Sequence, residues 1–145
     1  MKKAILVIIV LLVGIIGFRS CFSEGDVYNT LKVQWLKVNV SSDVQTINKA
    51  LDTTNKVMKR KNLSEKEKYL TEMVYYTLLA NQKITAKILE DGENANPDKY
   101  KNTYTQLMSQ IGTITLVFTD NEYELASAQD LKKIADLCKQ SYNSL

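Results

Sequence analysis

The chain has 145 residues, of which 45% are hydrophobic, and a formal net charge of +3 at pH 7. It contains no histidine, which excludes catalytic triads and dyads built on histidine and the common zinc ligand sets. One proline and five glycines argue against a turn-rich β-sandwich, and the glycines lack the spacing of a phosphate-binding loop. The composition therefore favours a helical protein and offers no catalytic motif.

The first element is a predicted leader, residues 1–21. Lys2 and Lys3 precede an uninterrupted apolar run, residues 4–18. As a helix rising about 1.5 Å per residue, this run would reach roughly 22 Å, less than the roughly 30 Å hydrocarbon core of a membrane. A basic start followed by a short apolar run is typical of an export signal. We therefore expect an exported protein.

The end of the leader carries a family resemblance. Ser20 and Cys21 directly follow the apolar run and resemble the end of a bacterial lipoprotein precursor signal, in which a small residue precedes a diacylated cysteine. The resemblance covers the leader alone and implies lipid attachment at Cys21, on the outer face of a bacterial membrane or in the periplasm. Phe18 and Arg19 depart from the family pattern. An uncleaved signal anchor and cleavage after Ser23 therefore remain alternatives.

The net charge belongs to the leader. Three of the 19 Lys and Arg residues lie there, which leaves 16 against 16 Asp and Glu residues in the remainder. A neutral exported part is not expected to bind nucleic acid, because such proteins carry a basic excess. If Cys21 is acylated, Cys138 is a lone thiol, and otherwise a disulfide bond between the two is the alternative.

Behind a short tether, residues 22–26, we predict a single all-α domain, residues 27–145, built as a small antiparallel bundle of four or five amphipathic helices. The buried stripe of the first helix is predicted to be Val27, Leu31, Trp35 and Val38. Residues 31–40 also alternate in polarity, so a strand is the alternative there.

Ser41, Ser42 or Asp43 is expected to cap the second helix. Its predicted stripe is Val44, Ile47, Leu51, Thr54 and Met58.

Capping signals mark the later helices. Ser64 and Glu67 form a predicted capping box for a third helix that ends at Gly92, and its expected core residues are Leu70, Met73, Val74, Ala80, Ile84 and Ile88. Asn96 precedes a proline suited to the first position of a fourth helix. The apolar positions expected in its core face are Tyr100, Tyr104, Leu107, Met108, Ile111, Ile114 and Phe118. Residues 113–119 are β-branched enough for a strand instead.

A last helix is predicted to begin near Ser127, and its apolar stripe is Leu131, Ile134, Ala135, Cys138 and Tyr142.

Two surface features are candidate contact sites. Lys59, Arg60 and Lys61 form a basic patch that could lie against anionic lipid, and Lys56, Lys66 and Lys68 extend it. The alternative is a solvated helix end, where positive charge is favoured. Tyr75 lies furthest from the core stripe of the third helix and is the candidate centre of a partner surface. Trp35 and Cys138 are expected in the core.

Acidic residues offer little chemistry. Glu67 with Glu72, or Glu122 with Glu124, could be proposed as catalytic carboxylate pairs, but their flanking residues do not predict burial. The oxygen-rich stretch 91–98 lacks the order of a calcium-binding loop and fits a helix stop followed by a helix cap. We expect no metal and no cofactor.

The predicted function is a membrane-tethered, non-enzymatic binding or structural module that acts through an unidentified protein partner. A carboxylate-dependent envelope enzyme is the alternative.

Overall fold

The structure is a computed structural model that describes residues 25–41, 43–92 and 96–145. Across these ranges the chain is all-helical, as predicted, and contains no β-strand. The described helices are α1 (Gly25–Ser41), α2 (Val44–Met58), α3 (Glu65–Asp91), α4 (Pro97–Thr119), α5 (Glu122–Leu125) and α6 (Ala128–Asn143). The strand alternatives for residues 31–40 and 113–119 are wrong, because both stretches bury an apolar stripe at helical spacing.

The predicted leader and its lipid-attachment residue Cys21 lie outside the described residues, as do residues 22–24 of the predicted tether. Helix α1 begins at Gly25, so the last two residues of that tether are helical. None of the helices in the described ranges is both long enough and apolar enough to cross a membrane.

Short polar side chains begin the helices. Asp43 caps α2 by accepting a hydrogen bond of 2.8 Å from the Thr46 amide. Ser64 and Glu67 form the predicted capping box of α3. Ser127 caps α6, where Asp130 completes a second capping box that the sequence analysis did not predict. Each cap satisfies amide groups that the first turn of a helix leaves without a partner.

Two residues with positive φ end helical segments. Gly92, at φ 51°, follows α3 as predicted, and glycine adopts this conformation without steric cost. Asn121, at φ 57°, lies between α4 and α5, and asparagine is the non-glycine residue best suited to the left-handed region. Gly92 directly follows the last residue of α3, and Asn121 directly precedes the first residue of α5.

Helix α3 is central to the packing, since it contacts α1, α2, α4 and α6. The main core draws on α1, α2, α3, α6 and the C-terminal half of α4. As predicted, Trp35 is buried in this core, and Cys138 is buried there with a free thiol. The whole predicted stripe of α1 is buried, namely Val27, Leu31, Trp35 and Val38. A smaller cluster of Ala80, Ile84 and Leu107 lies between α3 and α4.

Four residues predicted to be buried are exposed instead. Val44 is the first residue of α2 and Ile88 lies in the last turn of α3, where neighbouring helices no longer cover them. Tyr104 and Met108 lie on the side of α4 that faces solvent, because Leu107 and its neighbours on the other side fill the core. Conversely, the prediction missed the buried residues Ala50, Val57, Thr71, Thr77, Leu78 and Val117.

Candidate functional site

A line of exposed apolar side chains runs along α4. Tyr104, Met108 and Leu116 are 51%, 47% and 52% exposed, and exposed Gly112 lies between the last two. Residues four apart are neighbours on an α-helix surface, so the four positions form one row that turns gradually around α4, with a glycine between Met108 and Leu116. We call Tyr104, Met108, Gly112 and Leu116 the α4 outer face.

Packing against the core and against α1 fixes the rotation of α4. Leu107, Ile114 and Phe118 are buried. Hydrogen bonds from α1 add to this packing: the Tyr28 hydroxyl donates to the Phe118 carbonyl at 3.0 Å, and Trp35 Nε1 donates to Thr115 Oγ1 at 3.0 Å. Since the buried side chains and these hydrogen bonds fix the rotation of α4, Tyr104, Met108 and Leu116 stay exposed.

The two ends of the α4 outer face differ in charge. Exposed Lys101 lies one turn before Tyr104. At the other end, Asp120 and Glu122 follow Leu116 and are also exposed. The stripe is thus apolar in the middle, with a positive charge near its start and negative charges near its end.

A groove of about 680 Å³ lies where α1, α3 and α5 meet, and Tyr28, Lys32, Lys66 and Tyr123 contribute to its walls. The Tyr28 and Tyr123 rings stack with centroids 5.0 Å apart. Lys66 Nζ donates to the Tyr123 carbonyl oxygen at 2.6 Å and lies 4.7 Å from the centroid of that ring. These contacts join α5 to α1 and α3, so the two tyrosines and Lys66 have a structural role.

The predicted basic patch lies in the turn between α2 and α3. Lys59, Arg60 and Lys61 are all exposed. Arg60 Nη1 is 3.2 Å from Asp26 Oδ2, which places this turn beside the first turn of α1. The other basic residues of the patch have separate contacts: Lys56 pairs with Asp52, Lys66 bonds to α5, and Lys68 lies over Tyr69.

Tyr75, the predicted centre of a partner surface, is half-buried and packs against the main core. Its ring meets the edge of Tyr76, with centroids 5.5 Å apart, and Tyr76 in turn lies 6.0 Å from the Tyr142 ring. Lys139 and Lys83 lie over Tyr76 and Tyr142. Tyr75 is therefore the edge of a tyrosine cluster that joins α3 to α6.

The carboxylates considered for catalysis differ in their burial and contacts. Buried Glu67 accepts the Ser64 amide hydrogen bond at 2.8 Å within the capping box, and Glu72 is half-buried on the same helix. Glu122 and Glu124 are exposed. Among the residues that the structure describes, no group of three or more His, Cys, Asp or Glu side chains could hold a metal ion.

The stretch considered for calcium, residues 91–98, is described at its two ends. Tyr100 donates a hydrogen bond to the Asp91 carboxylate, and Lys99 Nζ lies 3.3 Å from the same oxygen. The Tyr100 hydrogen bond, followed by the Lys99 contact, lowers the pKa of Asp91 below its ordinary value of 3.8. This carboxylate thus joins the end of α3 to the start of α4.

The thiol of Cys138 lies in an apolar environment. Burial raises its pKa, because the thiolate would lose its hydration, and the nearby Thr77 hydroxyl opposes this shift. A thiol held in its protonated form is a poor nucleophile. Cys138 therefore acts as a small core residue.

The α4 outer face was not among the predicted sites, although the sequence contains a signal for it. Leu107 and Met108 are adjacent, and adjacent residues on a helix point about 100° apart, so both could not be at the centre of one buried stripe. An excess of apolar positions around α4 thus indicated a second apolar face.

No protein-family model matches the chain, and the comparisons with curated proteins and with solved structures likewise give no match.

Proposed function

We propose that this chain is a membrane-tethered, non-enzymatic helical binding module of the bacterial cell envelope that acts through protein contacts. In this proposal the helices form an antiparallel bundle behind the leader, and Cys21 carries the lipid. The ending Ser20-Cys21, which resembles a lipoprotein precursor, supports lipid attachment. An uncleaved signal anchor would tether the same domain by its apolar run.

The α4 outer face is the observation that carries the proposal. Tyr104, Met108 and Leu116 expose apolar side chains along one row of α4, while the contacts of Trp35 and Tyr28 fix the rotation of this helix. Contiguous exposed apolar surface favours association with another protein, because burying it against a partner removes it from water. Tyr and Met are also enriched at protein interfaces.

The position of the basic patch supports attachment of the protein to a membrane close to the first turn of α1. The Arg60–Asp26 ion pair brings the α2–α3 turn beside the residues that follow the leader. Exposed Lys59 and Lys61 would then lie close to the lipid headgroups, where each basic residue contributes about 1 kcal/mol of attraction to an anionic surface. We therefore propose that this turn faces the membrane.

The tether is tested by mass spectrometry of the N-terminus of the protein purified from membranes. A diacylglyceryl group on Cys21 is expected, together with loss of this modification and of membrane retention in Cys21→Ser. An intact Met1 in a membrane-bound protein would instead identify the uncleaved anchor. A protein that starts at Glu24 and is recovered outside the membrane fraction would contradict tethering.

The partner contact is tested by chemical cross-linking in intact cells that express the full chain. We expect Met108→Lys and Leu116→Lys to remove cross-linked products, whereas the control Gln106→Lys, at an exposed position on another side of α4, retains them. If Tyr75→Ala removes the products and Met108→Lys does not, the contact lies at the tyrosine cluster and our assignment to α4 is wrong.

A further inference from the structure

We infer that the α4 outer face binds the same face of a second copy of this chain, with the two α4 helices antiparallel and crossing at Gly112. The inference rests on the proposed function, since it names the protein partner of that face. Three independent features of α4 support it: the symmetry of the stripe, the charges at its ends and the glycine at its centre.

The stripe is self-complementary about its centre. Met108 lies four residues before Gly112 and Leu116 lies four residues after it, so an antiparallel pair brings Met108 of each copy to Leu116 of the other. At twice that separation, the Tyr104 hydroxyl faces the Asp120 carboxylate of the second copy. A two-fold interface requires this arrangement, because the same surface must serve both partners.

The charges select the antiparallel orientation. In that orientation Lys101 of one copy lies close to Asp120 and Glu122 of the other, and all three side chains are exposed. A parallel pair would instead bring like charges together at both ends of the stripe. Complementary charges favour the first arrangement and disfavour the second. Antiparallel helices also place the positive end of one helix dipole beside the negative end of the other, which favours the same orientation.

The packing of the described residues does not require a glycine at position 112. Apart from its own helix, no atom of the described chain lies within 4 Å of the position that a Cβ would take. Its φ is not positive, so the backbone does not require glycine, and glycine in a helix interior is less stable than alanine. A missing side chain does, however, let the backbone of a second helix approach closely. A helix crossing at Gly112 therefore explains its presence.

The inference is tested with the full chain in detergent micelles, by light scattering across about a hundredfold range of protein concentration. The wild-type chain is expected to shift from monomer to dimer. Gly112→Gln should raise the dimer dissociation constant about tenfold or more, because its side chain separates the two helices. The matched control Thr113→Gln, at the adjacent exposed position off the stripe, should leave the constant unchanged.

A charge exchange tests the orientation. Lys101→Glu and Asp120→Lys should each weaken the dimer several-fold, and the double variant should restore it, because the opposite charges again face each other. Recovery in the double variant is not expected for a parallel pair. A double variant that dimerises no better than the single ones would therefore contradict the antiparallel register.

The remaining outcomes separate this inference from the proposed function. A chain that stays monomeric throughout, or a dimer that does not respond to Gly112→Gln, overturns the second copy as the partner. If Met108→Lys still removes cross-linked products in cells, the proposed function stands with a different protein as partner. If neither Met108→Lys nor Leu116→Lys changes cross-linking, the α4 outer face is not the contact site, and both this inference and the assignment of the partner contact to α4 are wrong.

Discussion

Trp35 Nε1 donates a hydrogen bond of 3.0 Å to Thr115 Oγ1 and thereby joins α1 to α4. Trp35 is almost fully buried, so its N–H group depends on this acceptor. The Thr115 hydroxyl also accepts from Asn39 and donates to the Ile111 carbonyl. This contact sets the rotation of α4 and hence the direction of its outer face.

We predict that Thr115→Val lowers the free energy of unfolding by about 1–3 kcal/mol, because the buried indole N–H loses its partner. Thr115→Ser keeps the hydroxyl and should lose much less. Chemical denaturation followed by the fluorescence of Trp35, the single tryptophan, measures both variants. Equal losses in the two variants would show that the hydrogen bond contributes nothing.

Leu107 and Met108 are adjacent on α4 but differ in burial, at 3% and 47% exposed. Leu107→Ala should lower the free energy of unfolding by about 2–5 kcal/mol, because it leaves a cavity in the core. Met108→Ala should change this free energy by no more than about 0.5 kcal/mol. Thermal and denaturant unfolding measures the free energy of unfolding of both variants, one on the buried side and one on the exposed side of the same helix turn. A larger loss for Met108→Ala would place the outer face in the core.

Cys138 should resist thiol reagents in the folded protein. Burial raises its pKa and blocks access, so labelling requires local or global opening. In Cys21→Ser, where Cys138 is the remaining cysteine, we expect labelling about a hundredfold or more slower in the native state than in denaturant. Labelling at similar rates in both states would contradict a closed core around α6.

The Asp91–Tyr100 hydrogen bond should make stability depend on acid pH. The pKa of Asp91 is lowered in the folded state, first by Tyr100, so its contribution is present above about pH 3.8. This contribution is lost as the pH falls through the folded pKa. Tyr100→Phe should therefore be less stable than the wild type at neutral pH, and the difference should shrink in acid. Unfolding measured from neutral pH down to about pH 2 tests this, and a constant difference would contradict it.

The all-helical fold could be predicted because apolar spacing and capping residues are local signals. The stripe Val27, Leu31, Trp35 and Val38 identified the buried side of α1, and Ser64 with Glu67 identified the start of α3. Both depend on residues within a few positions of each other, so no knowledge of neighbouring helices was needed.

The sequence indicates more apolar positions on α4 than one buried stripe can hold, but which of them are exposed could not be predicted, because that depends on which neighbours cover α4. Tyr104 and Met108 have the same polarity and helical spacing as the core residues Leu107 and Ile114. Only the tertiary contacts of Phe118 and Thr115 decide which of these residues are buried. The same holds at the ends of helices, where Val44 and Ile88 fit the periodicity but extend beyond their neighbours.

The most direct test of a protein contact at the α4 outer face is site-specific photo-cross-linking in living cells. A photoreactive amino acid replaces Met108 in one full-length variant and exposed Gln106 in the other. We predict a defined cross-linked protein product from position 108 and none from position 106, with the mass of two copies of the chain if the partner is the chain itself. No product from position 108, or equal products from both positions, would contradict a contact at this face.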